Sequence, residues 1–119
     1  MATPIFETWD IVKIPFPYIE RPVRQVRPAL VIGAPEQGAR HSPIWLMMIT
    51  SAANRGWPGD VTISDLEAAG LPIPSIVRPG KLATIEAGDA TRLGRLDAVA
   101  QKNVARYLRD RLRAVFASA

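Results

Sequence analysis

The sequence predicts an α+β domain that is mainly β: a small β-barrel followed by a C-terminal amphipathic helix. Six short segments rich in Val, Ile, Leu and Trp are separated by Pro and Gly over the first three quarters of the chain. After Leu96 the spacing of apolar residues changes to three and four, the period of a helix. With 119 residues, 48% of them apolar, the chain is expected to form one domain over residues 1–119.

The predicted strands are short apolar segments bounded by turn formers such as Gly33-Ala34-Pro35 and Pro79-Gly80. Their positions are residues 9–16, 27–32, 44–50, 60–63, 75–78 and 81–85. Short strands at this density are typical of a small barrel or sandwich, and a compact SH3-like barrel suits this chain length. Between the fourth and fifth strands, Ser64 and Glu67 have the spacing of a capping box, and Gly70 can end one or two helical turns.

The last quarter of the chain predicts one amphipathic helix with Arg and Lys on its outer face. Its predicted apolar face consists of Leu96, Val99, Ala100, Val104, Leu108, Leu112, Val115 and Phe116. The sequence contains no internal repeat and no linker before this segment. We therefore expect the helix to pack on the strands within the same domain.

Charge and cysteine content limit the classes of partner and chemistry. The chain has 15 Lys and Arg against 11 Asp and Glu, a net charge of +4, which favours an anionic partner. The absence of cysteine excludes disulfides, zinc–thiolate sites and thiol nucleophiles, and suits a reducing cytoplasm. The N-terminal segment lacks a signal-peptide pattern, and no stretch approaches the ~20 apolar residues of a spanning helix. We expect a soluble, cytoplasmic protein.

The chemistry-bearing residues indicate an enzyme without metal or cofactor, if the protein is an enzyme. His41 is the single histidine, and no cluster of His, Asp and Glu has metal-ligand spacing. The sequence has no glycine-rich phosphate loop and no nucleophile elbow. RNA carries its own nucleophile, the 2′-hydroxyl beside each phosphate. A ribonuclease therefore needs only to position that group, assist proton transfer and stabilise the charge of the transition state.

Three residues at predicted strand ends are the candidates for that chemistry. Arg27 begins an apolar strand, and a guanidinium can bind two phosphate oxygens at once. Thr50 and Ser51 close the next apolar strand, where a hydroxyl can bond a phosphate oxygen or orient the attacking group. The alternatives are an ion pair of Arg27 on the barrel rim and capping of the Ala52-Ala53-Asn54 turn by the hydroxyls.

Further cations and one aromatic residue are candidates for RNA binding, namely Arg21, Arg24, Arg55, Trp57, Arg78 and Lys81. An Arg beside an aromatic ring can hold a single-stranded base by stacking, as Arg55 and Trp57 could. Trp57 is equally well explained as a lid on the core, and Lys81 as a charge that protects an edge strand. His41 lies in a polar loop, where it either exchanges a proton near neutral pH or is only solvated.

Several segments, in this order and spacing, resemble the MazF/PemK family of toxin endoribonucleases from bacterial toxin–antitoxin pairs. Trp9-Asp10-Ile11-Val12 is similar to the family's Gly-Asp-Ile-Val opening, with Trp in place of Gly. Arg27-Pro28-Ala29-Leu30-Val31 and Ile49-Thr50-Ser51 match family segments, and Gly56-Trp57-Pro58 stands where the family has Gly-Tyr-Pro. Later segments that resemble the family are Gly70-Leu71, Ser75-Ile76-Val77, Thr84-Ile85 and Leu93-Gly94-Arg95-Leu96.

The resemblance implies a MazF/CcdB-like SH3 barrel that forms a homodimer, cleaves single-stranded RNA without metal or cofactor, and leaves a cyclic phosphate and a 5′-hydroxyl. It also implies a cognate antitoxin in the bacterial cytoplasm. Arg27 corresponds to the catalytic Arg, and Thr50 or Ser51 to the catalytic hydroxyl, with Thr50 favoured. Two departures stand out: Gly80 replaces an acidic residue that some members carry, and residues 18–23 replace a Gly- and Ser-rich loop.

Two other functions are compatible with the same fold. One is a non-catalytic binding module, such as a CcdB-like toxin that binds gyrase, and the other is a protein-interaction domain with an apolar face. A gyrase binder has no chemical need for an Arg beside a hydroxyl at neighbouring strand ends, and salt-sensitive binding to RNA would count against the interaction domain. The combination of Arg27 with Thr50 and Ser51 therefore favours the ribonuclease.

Overall fold

The computed structural model of the protein describes residues 5–16, 25–34 and 41–118. The strands within these residues are β1 (Asp10–Phe16), β2 (Gln25–Gly33), β3 (Pro43–Ser51), β4 (Val61–Thr62), β5 (Ser75–Glu86) and β6 (Thr91–Arg95). The helices are α1 (Leu66–Ala69), α2 (Ala98–Arg111) and α3 (Arg113–Ala117), with short 3-10 turns at Ala52–Asn54 and Ala87–Asp89.

The six strands form one antiparallel sheet in the order β4-β5-β3-β2-β1-β6, which curls into a half-barrel. Irregularities in the pairing lie between β1 and β6, between β2 and β3, and between β3 and β5. Such bulges increase the local twist and bend a sheet, so they favour the curl. The prediction of a mainly β fold with a C-terminal helix is confirmed.

Both faces of the central strands are buried, so neighbouring residues in one strand belong to different cores. One core contains Ile11, Leu30 and Met47, and α2 contributes Ala100 and Val104 to it. The opposite core consists of Val12, Ile14, Ala29, Val31, Ile44, Leu46 and Met48, with Phe6, Ala87 and Ala90 at its margin. Side chains packed from two directions hold β2 and β3 rigidly, and these two strands carry the candidate catalytic residues.

Apart from shifts of one or two residues at strand ends, the observed strands differ from the predicted ones in two places. The segments predicted as separate strands at 75–78 and 81–85 form one strand, β5, because Pro79, Gly80 and Lys81 make a bulge rather than a turn. The strand β6 was not predicted, since its sequence TRLGR has two Arg, one Gly and one large apolar residue. It pairs at the sheet edge with β1.

The short helix α1 is confirmed, with its N-cap one residue later than the capping-box pattern indicated. The Asp65 side chain, not Ser64, accepts a hydrogen bond from Ala68 N, and Gly70 ends the helix in the left-handed conformation. Asp97 caps α2 in the same way and also accepts from the backbone N–H groups of Ser64 and Asp65. One carboxylate therefore joins the starts of both helices.

The C-terminal helix is confirmed, but it is interrupted at Leu112 and buries less than predicted. Ala100 and Val104 are fully buried, whereas Val99, Val115 and Phe116 are exposed. No helix among the described residues is long and apolar enough to cross a membrane.

Trp9, the residue that replaces the family's glycine, has a φ of +82°. This conformation favours glycine and costs other residues about 1 kcal/mol or more. Two backbone hydrogen bonds hold Trp9 there: its N–H donates to Val31 O, and its carbonyl accepts from Leu96 N. The indole packs against the core under α2, and this burial offsets the strain.

Candidate active site

A cleft of about 290 Å³ opens beside the start of β2 and the end of β3. Its polar lining consists of Arg27, Thr50, Ser51, Asn54 and Ser75, and its apolar lining of Val26, Pro28, Ile49, Leu71, Pro72 and Ile73. Arg27 is the charged residue among these, and no carboxylate belongs to the lining that the structure describes. The cleft therefore suits an anionic group carried on a partly apolar ligand.

Arg27 lies near the beginning of β2, opposite Ile14 of β1. Its side chain is partly buried, and its Nη2 donates a hydrogen bond of 2.9 Å to Gln25 Oε1. Gln25 and Arg27 are two residues apart in a strand, so their side chains lie on the same face. A neutral amide is therefore one of the partners of this guanidinium.

The register of β2 and β3 explains why Arg27 and Thr50 meet. Ala29 pairs with Met48, so the same register continued by two residues places Arg27 opposite Thr50, on the face that carries Ala29 and Met48. The paired residues of the two strands end at Ala29 and Met48, beside Pro28. Proline has no backbone N–H to donate, and the strand ends beyond it leave room for the cleft.

Ser51 also lines the cleft, but its hydroxyl has a local role. Ser51 Oγ accepts a hydrogen bond of 3.2 Å from Ala53 N and caps the turn Ala52–Asn54. Successive strand residues point to opposite faces, so Ser51 does not share the face of Arg27 and Thr50. The capping alternative therefore describes Ser51, whereas Thr50 Oγ1 accepts from the side chain of Asn54 at 3.0 Å.

Arg78 forms an ion pair with Asp60 beneath the loop that follows β3. Its Nε and Nη2 each donate to one carboxylate oxygen of Asp60, both at 3.1 Å, and the two side chains are only 11% and 10% exposed. The hydrogen bonds from Arg78 hold the pKa of Asp60 below its ordinary value of 3.8, with further N–H donors from Gly56 and Trp57, although burial opposes the shift. The same contact raises the pKa of Arg78. Both side chains therefore remain charged at neutral pH.

Arg78 also donates from Nη2 to Asn54 O at 2.6 Å, and its guanidinium lies 4.6 Å from the centre of the Trp57 ring. Sequence reasoning missed Asn54 and Asp60, the two partners that connect this arginine to the cleft. A weak signal was present for Asp60, since an acidic residue directly before the apolar β4 and after Gly56-Trp57-Pro58-Gly59 is positioned to accept loop N–H groups. Asn54 carried no comparable signal.

The remaining candidates lie outside the cleft lining. Arg55 is exposed and donates from Nε to Ala52 O, Trp57 is 49% exposed, and Lys81 is exposed in the bulge of β5. His41 lies 3.6 Å from Glu86 on the surface. Arg21 and Arg24 lie outside the described residues.

Among the described residues, no group of three His, Asp or Glu side chains converges as metal ligands.

Comparisons with known proteins agree with this architecture. The family model described as "PemK-like, MazF-like toxin of type II toxin-antitoxin system" matches residues 7–112. No curated protein matches the chain.

Three solved structures illustrate the similarity in fold. MazE–MazF from Deinococcus radiodurans has a TM-score of 0.64 at 21% identity, covering 92% of this chain and 96% of that chain. An endoribonuclease in complex with its cognate antitoxin, from a mycobacterial species, has a TM-score of 0.62 at 17% identity, with 94% and 95% covered. Toxin MazF-mt6 of Mycobacterium tuberculosis has a TM-score of 0.61 at 21% identity, with 83% and 92% covered. Because the family model spans nearly the whole chain, the protein belongs to the PemK-like, MazF-like toxins of type II toxin–antitoxin systems.

Proposed function

We propose that the protein is a metal-independent endoribonuclease that cleaves single-stranded RNA in the cleft between β2 and β3 and thereby inhibits growth. The observation that carries the proposal is the position of Arg27 opposite Thr50 at the mouth of a cleft with no described carboxylate. Family membership and the endoribonucleases among the structural neighbours support the same activity. A gyrase binder or an interaction domain would have no chemical use for this pair.

In the proposed reaction, the guanidinium of Arg27 binds the non-bridging oxygens of the scissile phosphate and stabilises the charge that grows in the transition state. Thr50 Oγ1 bonds the same phosphate and holds it in line. The 2′-oxygen attacks the phosphorus and loses its proton, while the bond to the 5′-oxygen breaks and that oxygen gains a proton. The products are a 2′,3′-cyclic phosphate and a 5′-hydroxyl.

The experiment is cleavage of a long single-stranded RNA in EDTA with mapping of both new ends. Wild-type protein is expected to give discrete cuts, and Arg27→Ala and Thr50→Val are expected to lose about 100-fold or more in rate. Lys102→Ala, which removes an exposed cation from α2, is the matched control and is expected to cleave normally. Intact RNA with wild-type protein would refute the proposal and favour a binding module.

We propose RNA-binding roles for the surrounding basic and aromatic residues according to their positions. Arg55 and Trp57 have exposed side chains on the loop after β3, which begins at the cleft residue Asn54, so they can bind a phosphate and stack on a base. Lys81 is exposed in the bulge of β5, where it can bind a phosphate. Arg78 supports RNA binding indirectly, because its guanidinium is held by Asp60 under the ring of Trp57. For Arg21 and Arg24, which lie outside the described residues, we propose RNA binding on the basis of the sequence.

A cognate antitoxin is the second proposed partner, acting in the bacterial cytoplasm. MazE–MazF and another endoribonuclease–antitoxin complex are among the similar structures, which supports an antitoxin for this chain. The cleft is cationic at Arg27 and apolar at Leu71, Pro72 and Ile73. An antitoxin segment that inhibits by occupying it would combine acidic and apolar residues.

We also propose that the protein is a homodimer through the apolar surface around Ile32. Two grooves share this residue: one of about 330 Å³ lined by Trp9, Leu108 and Phe116, and one of about 390 Å³ lined by Trp45 and Leu82. Phe116 is 70% and Trp45 53% exposed. Continuous apolar patches of this kind mark interfaces, and a second copy can cover one by two-fold symmetry.

Sedimentation analysis tests the dimer. Phe116→Ser is expected to weaken self-association at least tenfold, because it removes an exposed aromatic side chain that lines one of the two grooves. The matched control is Val99→Ser, which removes an exposed apolar residue of α2 that does not line either groove. A monomeric wild-type protein, or equal effects of both variants, would contradict this interface.

A further inference from the structure

The hydrogen bond between Thr50 and Asn54 fixes more than the position of the hydroxyl. Asn54 Nδ2 donates to Thr50 Oγ1 at 3.0 Å, across the turn Ala52–Asn54. A threonine hydroxyl has one proton to donate and two lone pairs that accept. Because the amide N–H occupies one lone pair, the hydroxyl proton is not used in this contact. It remains available to donate to a group bound in the cleft.

Asn54 is itself held by the buried ion pair. Its backbone carbonyl accepts a hydrogen bond from Arg78 Nη2 at 2.6 Å, and Arg78 donates two hydrogen bonds to Asp60. Asp60 Oδ2 also accepts from the N–H groups of Gly56 and Trp57, at 3.1 and 3.0 Å. The Asp60–Arg78 ion pair therefore holds the loop after β3 at two points, the backbone carbonyl of Asn54 and the N–H of Gly56. This leaves the backbone of Asn54 little freedom to move.

We propose that Asn54 is a positioning residue that orients the Thr50 hydroxyl, so that the proton of this hydroxyl points away from Asn54 and is donated to the scissile phosphate. The inference rests on the proposed ribonuclease function. It assigns Thr50 to the stabilisation of charge on the phosphate, together with Arg27. It also makes the loop after β3 part of the catalytic apparatus, although Arg78 and Asp60 do not line the cleft.

Two substitutions of Asn54 separate polarity from packing. Asn54→Ala removes the donor and lets the hydroxyl rotate, and we expect the single-turnover rate to fall about tenfold, less than the loss of a direct donor. Asn54→Asp keeps the size but offers only acceptors at neutral pH, so Thr50 turns its proton toward residue 54 and away from the phosphate. We expect Asn54→Asp to lose about 100-fold at pH 7, because the new charge also repels the phosphate.

The pH profile gives a readout that a purely structural role would not move. As the pH falls toward the ordinary Asp pKa of about 3.9, the carboxyl at residue 54 gains a proton and becomes a donor again. The ratio of the Asn54→Asp rate to the wild-type rate is therefore expected to rise from pH 7 to pH 4.5. Asn103→Asp, the same change on the exposed face of α2, is the control and is expected to give a constant ratio near one.

Binding and coupling measurements complete the test. Affinity for 2′-O-methyl RNA, which cannot be cleaved, is expected to be unchanged in Asn54→Ala, so the effect lies in the chemical step. In a Thr50→Val background, Asn54→Ala is expected to cause no further loss, since it acts through that hydroxyl. Wild-type rates in both Asn54 variants, a flat pH ratio, or additive losses with Thr50→Val would overturn the inference alone. RNA left intact by wild-type protein would overturn the proposed function and this inference with it.

Discussion

The substitution Asp60→Asn tests whether one buried ion pair holds the loop beside the cleft. Asp60 accepts four hydrogen bonds: from Nε and Nη2 of Arg78 and from the N–H groups of Gly56 and Trp57. Asparagine has nearly the same shape but one acceptor and one donor in place of two acceptors. If its oxygen takes the place of Oδ2, which serves three donors, its NH₂ group faces Arg78 Nε, and two donors then meet without an acceptor.

The expected loss of stability follows from these contacts. A hydrogen bond to a charged group contributes about 1.5–3 kcal/mol, and removing one partner of a buried ion pair costs about 3–5 kcal/mol. Asparagine keeps part of the hydrogen bonding and loses the charge, so we expect the free energy of unfolding to fall by about 2 kcal/mol. For a domain of this size that is a decrease in Tm of about 8 °C.

The assay is thermal unfolding at pH 7, at one protein concentration because a dimer's Tm depends on concentration. Asp110→Asn is the matched control, since Asp110 pairs with Arg113 on the exposed surface of the C-terminal helices at 2.9 Å. Exposed pairs of this kind contribute about 0.3–0.5 kcal/mol, so the control is expected to change Tm by about 2 °C at most. Equal shifts in the two variants would refute the argument that the Asp60–Arg78 pair holds the loop.

Three further predictions concern acid stability, salt dependence and close packing. The pKa of Asp60 is depressed in the folded state, so its contribution to stability is complete above pH 3.8 and is lost as the pH falls through the lower pKa of the folded protein. The difference in Tm between wild type and Asp60→Asn should therefore shrink from pH 6 to pH 3. A constant or growing difference would contradict this prediction. Arg27→Ala should lower the slope of log affinity against log salt for 2′-O-methyl RNA by about 0.7, the value for one phosphate contact on a single strand, and an unchanged slope would exclude that contact. Gly94→Ala should reduce the free energy of unfolding by about 1–3 kcal/mol in denaturant titration, because the new Cβ would overlap the backbone of Ala68 and Ala69. Gly88→Ala is the control and should be neutral, since its Cβ would meet nothing within 4 Å. Equal stability of the two variants would show that the backbone around Gly94 moves apart without strain.

The sequence was sufficient to predict the fold class and the central strands because their signal is local. β1, β2 and β3 are short segments rich in Val, Ile, Leu and Met, with Pro or Gly within or beside them. Arg27, Thr50 and Ser51 were predicted as one catalytic group because they are polar residues at the ends of such segments. Their meeting in one cleft needed only the antiparallel register of neighbouring strands.

What the sequence did not predict depends on contacts between distant residues. Arg78 was interpreted as an RNA-binding cation from its place at a strand end, but its partner Asp60 lies 18 residues earlier and reaches it through the pairing of β4 with β5. Asn54 became visible only when the turn after β3 brought it back to Thr50. Pro79-Gly80 predicted a turn because Pro-Gly usually ends a strand. In the structure these residues form a bulge, and β3 pairs with β5 on both sides of that bulge.

Arg27 and Thr50 meet in only one register of β2 and β3, and the pattern of polar and apolar residues in these strands does not by itself determine that register. Both faces of these strands are apolar, so a slip by one residue would exchange one apolar face for another at modest cost. It would also turn Thr50 away from Arg27. Gly33 and Trp45 provide the missing constraint: they pair across the bulge, and a Cβ on Gly33 would lie 3.1 Å from the Trp45 ring. Because a side chain in place of Gly33 would crowd the indole, this pair favours a single register, and the catalytic geometry at one end of the strands depends on packing at the other.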